Sequence, residues 1–491
     1  MHNMSHKVEV SLACIFLAFF MMTFFSDYLP MPHGAFDDQR FVLCLSLVLL
    51  VSLSLYCLNP LHFLRGSRLV LFMPFFLFLL IGGSQSVAHP FNWVEPIFYI
   101  LFFSAICLLG TLMFQKSIQN QVALLFCMLA VVACFFYACI TVLMYVFSLE
   151  ANLSTFSDVV PAGFLNIRFW GHTATWLLPI FPLATLARKG ESWRIWRLMV
   201  LFTAGIWWWL AIYLTSRGTI ISLLIATILM CFLFHGVVKV WLSVMLTQLS
   251  LGVLIWLVLS YIVPVWILDV NAGLIKELNT TTSGRLPLWE EAWVMSLQNF
   301  PFGMGAQSWL THTLLTDSYK LSVKFGAPHN MYLMWAAEYG WISIVCILGV
   351  LYWSIIRLRE KIKLLGSQNE SHLMYLLVFS VSSCAGLIHS NVSSLFIAPA
   401  SMMIGLCVLA IFWSLILPTK IDDSNVSILK KMPAPKYLLL LFVPLACLWL
   451  SYVWSYHQAM IDDLTTDEGR AAQSMMPRFW VYGNYPRAVT E

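Results

Sequence analysis

Long apolar runs, each close to the length of a helix that crosses a bilayer, recur along almost the whole chain. Hydrophobic residues make up 60% of the sequence and charged residues only 10%, so a water-soluble fold could not bury this much apolar surface. The runs are continuously apolar rather than alternating, which favours helices over a barrel. The sequence therefore predicts an all-α polytopic membrane protein with a bundle of about 12–13 transmembrane helices. By length and hydrophobicity, spans are placed near residues 8–25, 40–58, 69–85, 95–114, 121–147, 171–187, 198–215, 218–235, 242–265, 330–356, 371–390, 397–417 and 436–456.

Lysines and arginines are concentrated in one of the two alternating sets of connections between these spans. Short connections rich in basic residues favour the cytoplasmic side, which places the N-terminus inside. The other connections, at 148–170, 215–218, 266–329 and 390–397, then lie outside, together with the C-terminal tail. Three regions are predicted: a helical bundle over 1–456, a long outer loop over 266–329 that carries the catalytic residues, and a short polar and aromatic tail over 457–491. The tail is expected to lie along the membrane surface, where tryptophan and tyrosine are favoured.

Composition and cysteine placement argue against several classes of function. The net charge of +4 is small and gives no reason to expect a nucleic-acid partner. All twelve cysteines fall within apolar runs and none forms a CxxC pair, so neither a disulfide framework nor a zinc site is indicated. There is no HExxH motif and no outward acidic pair at the spacing of a metal site, so no metal and no cofactor are predicted.

Three residues on the outer side are the strongest candidates for catalysis. Arg217 lies at a tight turn between two spans, where it could hold an anion beside a helix N-terminus or simply extend along a helix end to water. Arg285 follows a Ser-Gly turn in a loop of near-neutral charge, which favours a specific role over bulk attraction; the alternative is a pairing with Glu290. His329 begins the next span and could accept a proton from a hydroxyl, although a lone histidine there is more often structural.

A second group of residues is predicted to contact substrate. Arg168 and His172 lie at the outer end of another span, and the alternative for both is a purely structural role. Asn330 and Tyr332 follow His329 directly, and Glu290 follows Arg285 along its helix. Glu290 could orient a base or a sugar, although a carboxylate there more often solvates a helix.

Outward arginines could replace a metal at a lipid diphosphate. A guanidinium presents a planar fork of donors that binds phosphate oxygens in pairs. The hypothesis from the residues is a metal-independent transfer, in which arginines hold the diphosphate and stabilise charge as it leaves, while a histidine assists the acceptor hydroxyl.

Short motifs over residues 160–350 resemble the O-antigen ligase superfamily, which also includes O-antigen polymerases and protein O-oligosaccharyltransferases. They are Ser216-Arg217-Gly218, Ser283-Gly284-Arg285 followed by Leu288-Trp289, Pro301 to Gly305, Pro328-His329-Asn330 with Leu333, Glu338-Tyr339-Gly340, and the segment Gly163 to Pro179. The resemblance implies a bacterial inner-membrane enzyme that takes a glycan from undecaprenyl diphosphate at the periplasmic face, without a metal and with inversion. Arg217 and Arg285 would match the diphosphate-binding arginines, and His329 the residue that activates the acceptor.

Several readings of the acceptor and the function stay open. Lipid A-core is the favoured acceptor, whereas an outward C-terminal extension is more like the protein transferases that act on pilin; polymerisation of O-units is a third possibility. A transporter or lipid flippase is the alternative of another class. Transporters usually carry ionisable groups near the membrane midplane, but here the predicted span interiors are almost free of charge, which favours chemistry at one surface.

Overall fold

The structure, a computed structural model, describes residues 2–58, 68–85, 90–150, 163–187, 190, 193–267, 284–366, 369–418, 435–471, 476–483 and 485. Within these ranges all regular structure is helical, which confirms the predicted all-α class. The helices are α1 His2–Phe25, α2 Ala35–Cys57, α3 Met73–Gln85, α4 Val94–Gln115, α5 Gln119–Glu150, α6 Ile167–Leu177, α7 Phe181–Leu186, α8 Arg194–Tyr213, α9 Arg217–Phe234, α10 Gly236–Leu257, α11 Arg285–Gln298, α12 Ser308–Thr311, α13 Asp317–Lys320, α14 Met331–Tyr339, α15 Trp341–Leu365, α16 Glu370–His389, α17 Pro399–Ile416, α18 Leu439–Thr465 and α19 Asp467–Ala471.

Ten helical segments in the described part of the chain are long and apolar enough to cross a membrane. One of them, Arg217–Pro264, contains both α9 and α10, which join at His235 in a positive-φ conformation. Two other predicted spans form helices that do not meet this criterion as single elements: α3 is short, and the 171–187 span is divided into α6, a 3-10 turn and α7. Each predicted span therefore falls on helical chain, but not each is one uninterrupted membrane-length helix.

The predicted span 330–356 is broken in two. Gly340 separates α14 from α15 with a φ of +85°, a left-handed conformation in which a residue with a Cβ would be strained. A Cβ at this position would also overlap the backbone of Pro301 and Phe302. The break exists because the Pro301–Gly305 turn packs against it: Met304 N–H donates to the Ala337 carbonyl at 2.8 Å.

Helix α17 lies at the centre of the bundle and is buried along nearly its whole length. It packs against α4, α16 and α6, while α10 packs on α8 and α16 on α9. The outward side of α18 exposes large apolar residues such as Leu440, Leu441 and Leu448. Apolar side chains exposed in this way suit contact with lipid.

The described part of the long loop forms a small folded unit, and residues 268–283 lie outside the described ranges. Its helix α11 packs on α14 through a separate core that includes Leu288, Ala292 and Met295. Arg285 is the first residue of this helix. This unit lies at the end of the bundle where α6, α9 and α14 begin and α16 ends.

The expectation that the aromatic tail lies along a surface is wrong for the segment Met476–Gly483. Phe479 and Trp480 are only 2% and 1% exposed, because this segment enters the bundle at the end that carries the loop unit. Arg478 anchors it through ion pairs to Glu95 of α4 at 2.8 Å and Glu338 of α14 at 2.7 Å.

Candidate active site

His329 and Arg168 form a direct pair at the end of the bundle that holds the loop unit. The Nε2 atom of His329 lies 2.9 Å from Nη1 of Arg168, on the first turn of α6. A guanidinium can only donate, so Nε2 accepts this hydrogen bond and the imidazole proton lies on Nδ1. Phe325 covers both groups, with its ring centre 4.9 Å from the His329 ring. The pair therefore holds His329 neutral and in a defined orientation.

The electrostatic surroundings of His329 oppose its protonation. Burial, followed by the positive charges of Arg168 and Arg285, lowers the pKa of His329 to about 3. At neutral pH the ring is thus uncharged and can accept a proton if a bound anion offsets the two arginines.

The backbone around His329 fixes where its ring points. His329 has a φ of +55°, which is uncommon for a residue with a side chain. Asn330 caps α14 by accepting hydrogen bonds from the N–H groups of Tyr332 and Leu333, both at 3.0 Å. The Tyr332 hydroxyl donates to the Leu387 carbonyl at 2.9 Å. In this structure Asn330 and Tyr332 position the start of α14 through these bonds.

Arg285 opens α11 directly after Gly284, which has a φ of +71°. Its Nε is buried and has no hydrogen-bond partner in the described part of the protein. Burial, then the charges of Arg168 and Arg217, lowers the pKa of Arg285. Two further guanidinium groups are thus close enough to act on Arg285, and a bound anion would offset their charge.

Arg217 is the exposed first residue of α9. The next residue, Gly218, allows His389 at the end of α16 to approach, because a Cβ at 218 would overlap the His389 ring. His389 Nδ1 lies 2.7 Å from the Thr175 hydroxyl of α6, and Thr175 contacts Thr219 at 3.1 Å. This hydrogen-bonded chain fixes the N-terminus of α9, and with it Arg217, against α6 and α16.

His172 lies one turn beyond Arg168, below the pair. It is 1% exposed, and its Nε2 lies 2.6 Å from the Ser393 hydroxyl. Its Nδ1 has no hydrogen-bond partner among the described residues. The His172 and His389 rings meet edge to face at 5.4 Å.

A cavity of about 90 Å³ is lined by Arg168, His172 and His329 but not by Arg285 or Arg217, and we call it the cationic cavity. None of the described residues that line it carries a carboxylate. Its lining consists of Asn166, Arg168, Phe169, His172, Phe325, Gly326, Ala327, His329, Ser393, Ser394, Ile397 and Pro477. A small cavity with a guanidinium, two imidazoles and two hydroxyl groups suits a compact oxyanion.

Residues 198–348 match the family model described as O-antigen ligase. This match supports a likeness to the O-antigen ligase superfamily over about a third of the chain. The matched range contains Arg217, Arg285 and His329, while Arg168 and His172 precede it. No curated protein matches the chain. The match supports a glycosyltransferase activity of the O-antigen ligase or polymerase type in general, with a lipid-linked glycan and an acceptor as substrates. The apolar helices support a multi-pass membrane protein.

The structure does not bring Glu290 to the cationic cavity. Glu290 is exposed on α11 and accepts a hydrogen bond from the Ser318 hydroxyl at 2.5 Å. Its neighbour Glu291 is buried and accepts from the Leu315 N–H at 2.7 Å and the Thr316 N–H at 2.8 Å. Burial alone would raise the pKa of Glu291. The hydrogen bonds from the Leu315 N–H and from the Thr316 and His312 side chains outweigh burial and lower this pKa. Both carboxylates stabilise the loop unit, and a contact between Glu290 and substrate stays a prediction.

Sequence reasoning missed residues that complete the site. Ser393, Phe325 and Pro477 line the cationic cavity. The His389 ring packs against Gly218, the residue after Arg217. His389 was visible as a second histidine at the outer end of a span, but its partner Thr175 is distant in sequence. Pro477 gave no signal, because only the burial of Arg478 brings the tail to this position.

In the described ranges, no group of three or more His, Cys, Asp or Glu side chains is arranged to hold a metal ion.

Proposed function

We propose that this protein moves an O-antigen glycan from undecaprenyl diphosphate to lipid A-core at the periplasmic face of the bacterial inner membrane. The observation that carries the proposal is the carboxylate-free cationic cavity, in which neutral His329 is held by Arg168. The charge of Arg285 acts on His329, and the Nε of Arg285 has no hydrogen-bond partner among the described residues. An oxyanion bound there would accept hydrogen bonds from Arg168 and would offset the positive charge of Arg285.

In the proposed reaction, the arginines hold the diphosphate and His329 receives a proton. The bond between sugar C1 and the phosphate oxygen breaks, and a bond forms between C1 and the acceptor oxygen. The acceptor hydroxyl proton passes to Nε2 of His329, and undecaprenyl diphosphate leaves with the bonding electron pair. The guanidinium groups stabilise the charge that develops on the leaving phosphate. No metal is required for these steps.

Arg168 links donor binding to the activation of His329. In the structure, Nη1–H of Arg168 donates a hydrogen bond to Nε2 of His329. In the proposed reaction this same nitrogen must accept the proton of the acceptor hydroxyl. A bound diphosphate is a stronger acceptor than a neutral imidazole, so Arg168 would turn to it and release Nε2. The phosphate charge would also offset the arginines that lower the pKa of His329, and raise its basicity.

A deletion strain, complemented with the intact gene, tests the proposal. Loss of long-chain lipopolysaccharide with accumulation of lipid-linked polymer supports a ligase. Lipopolysaccharide carrying a single unit would instead indicate an O-antigen polymerase. Intact lipopolysaccharide with unglycosylated pilin would indicate a protein transferase. Normal glycans throughout would contradict the enzymatic proposal and favour a transporter.

With purified protein, transfer should persist in chelator, and loss that Mg²⁺ restores would contradict the metal-independent mechanism.

A further inference from the structure

A second, larger cavity adjoins the cationic cavity. It has a volume of about 400 Å³, within the range of small-molecule sites. Phe169 lines both cavities, and it follows Arg168 directly in sequence. The two cavities also share a wall at residues 397–398 and at the tail segment, where Pro477 lines the first and Val481 and Tyr482 line the second. A ligand in the second cavity would therefore lie next to an oxyanion bound beside Arg168.

One side of the second cavity is apolar and aromatic. Phe36, Phe169 and Ala398 form a separate buried cluster, against which Phe164 and Val481 pack. The Phe36 and Phe169 rings lie 5.8 Å apart. The face of an aromatic ring carries partial negative charge and attracts the C–H groups of a ligand.

The polar side of the cavity carries carboxylates. Asp27 is exposed, and Asp37 is 3% exposed. Asp37 accepts from the Val481 N–H at 2.8 Å, and its other oxygen lies 3.4 Å from Nε2 of His457. Ionised carboxylates accept hydrogen bonds from ligand hydroxyl groups. No lysine or arginine is among the described residues that line this cavity, so an anionic ligand is disfavoured, and the carboxylates disfavour a lipid tail.

We infer that the second cavity is a carbohydrate subsite, which binds the sugar residues next to the reacting bond. Hydroxyl groups on the rim of a sugar would donate to Asp27 and Asp37, while its C–H face packs on Phe36 and Phe169. The inference rests on the proposed function, because it takes the cationic cavity as the diphosphate site. The sugars could belong to the donor or to the acceptor, and the kinetics below distinguish them.

The test places the indole ring of a new tryptophan in the second cavity. Ala35 lines it and is partly exposed, so Ala35→Trp should occupy its space. Ala471→Trp is the matched control, because Ala471 is exposed on α19 and does not line the cavity. Both variants are assayed as full-length protein in nanodiscs, with the KM of the lipid-linked donor and of the lipid A-core acceptor measured separately. Binding of the free oligosaccharide, released from the host's lipid-linked glycan by mild acid, is measured by calorimetry.

We expect Ala35→Trp to raise one KM by about tenfold, to leave inhibition by inorganic pyrophosphate unchanged, and to abolish oligosaccharide binding. A raised donor KM assigns the subsite to the donor glycan, and a raised acceptor KM assigns it to the acceptor. Unchanged KM values and unchanged oligosaccharide binding would overturn the inference. If Ala35→Trp does not fold, the double variant Asp27→Asn with Tyr482→Ala decides by the same measurements.

A separate variant tells failure of the subsite from failure of the proposed function. Arg168→Ala should weaken pyrophosphate inhibition while the free oligosaccharide still binds. If Arg168→Ala transfers glycan normally, the assignment of the cationic cavity fails, yet oligosaccharide binding that Ala35→Trp blocks would still establish a carbohydrate site.

Discussion

His329 owes its chemical character to two arginines that reach it from different parts of the chain. Its neighbour Arg168 supplies the direct contact, 161 residues away in sequence. A histidine before an apolar span predicts little by itself. A neutral ring against a guanidinium at the wall of a cavity is the arrangement that the proposed proton transfer requires. The roles of the candidate residues therefore depend on pairings that only the fold provides.

Replacing the proposed base, His329, is the simplest test of a single residue's role. His329→Ala should lower the rate of glycan transfer by about two to four orders of magnitude, because the acceptor proton loses its recipient. Transfer is measured with purified protein and lipid-linked donor. His372→Ala is the matched control: this histidine contacts Asn120 at the other end of α16 and should leave transfer unchanged. Equal activity in both variants would contradict the role of His329.

The pH profile tests the electrostatic argument. Because the pKa of His329 is about 3 in the free site, kcat/KM should show no loss from His329 protonation between about pH 5 and 8. Arg168→Gln removes a positive charge that lowers this pKa, so the pKa should rise and activity should begin to fall at a higher pH as acid is added. Titration of the donor phosphate is common to both proteins. Profiles of the same shape would show that Arg168 does not act on His329.

At the scale of the element, the start of α9 depends on a close approach that only glycine permits. Gly218→Ala should push α9 away from His389, displace Arg217 and reduce transfer by at least tenfold. Gly349→Ala is the control, because a Cβ there meets nothing within 4 Å on α15. Transfer and thermal unfolding are measured for both variants. If Gly218→Ala is as active as Gly349→Ala, the packing of α9 on His389 does not position Arg217.

Hydropathy predicted the positions of the elements well but not their interruptions. A window average over the span 330–356 cannot detect that Gly340 adopts φ +85° against the Pro301–Gly305 turn. Likewise Pro179 and Pro182 stand where α6 gives way to a 3-10 turn and α7, inside a run that stays apolar throughout. These breaks come from packing and backbone geometry, which composition does not record.

At the scale of the whole molecule, a buried charge network joins the tail to the bundle. Arg478 contacts Glu95 across 383 residues and Glu338 across 140, and it donates to the Gly326 carbonyl at 3.3 Å. The neighbouring Glu338 also accepts from the Trp309 N–H at 3.2 Å. The aromatic residues of the tail predicted a membrane surface, because nothing local in sequence shows that two distant carboxylates receive Arg478.

This network predicts a large effect on stability. Arg478→Ala leaves Glu95 and Glu338 buried without their cation, which typically costs about 3–5 kcal/mol. Arg470→Ala, in the same tail, breaks only an exposed pair with Asp467 and should change little. Thermal unfolding in detergent should show a clearly lower midpoint for Arg478→Ala alone. Equal midpoints for the two variants would mean that the tail contributes no stability through Arg478.

The proposed mechanism requires the donor's diphosphate to bind at the cationic cavity. The most direct measurement is a structure of the protein with undecaprenyl diphosphate in nanodiscs. We predict phosphate oxygens within about 3 Å of the Arg168 and Arg285 guanidinium groups, Arg217 close to the same phosphates, and Nε2 of His329 released from Arg168. A diphosphate bound elsewhere on the bundle, with the pair of Arg168 and His329 intact, would contradict the proposed mechanism.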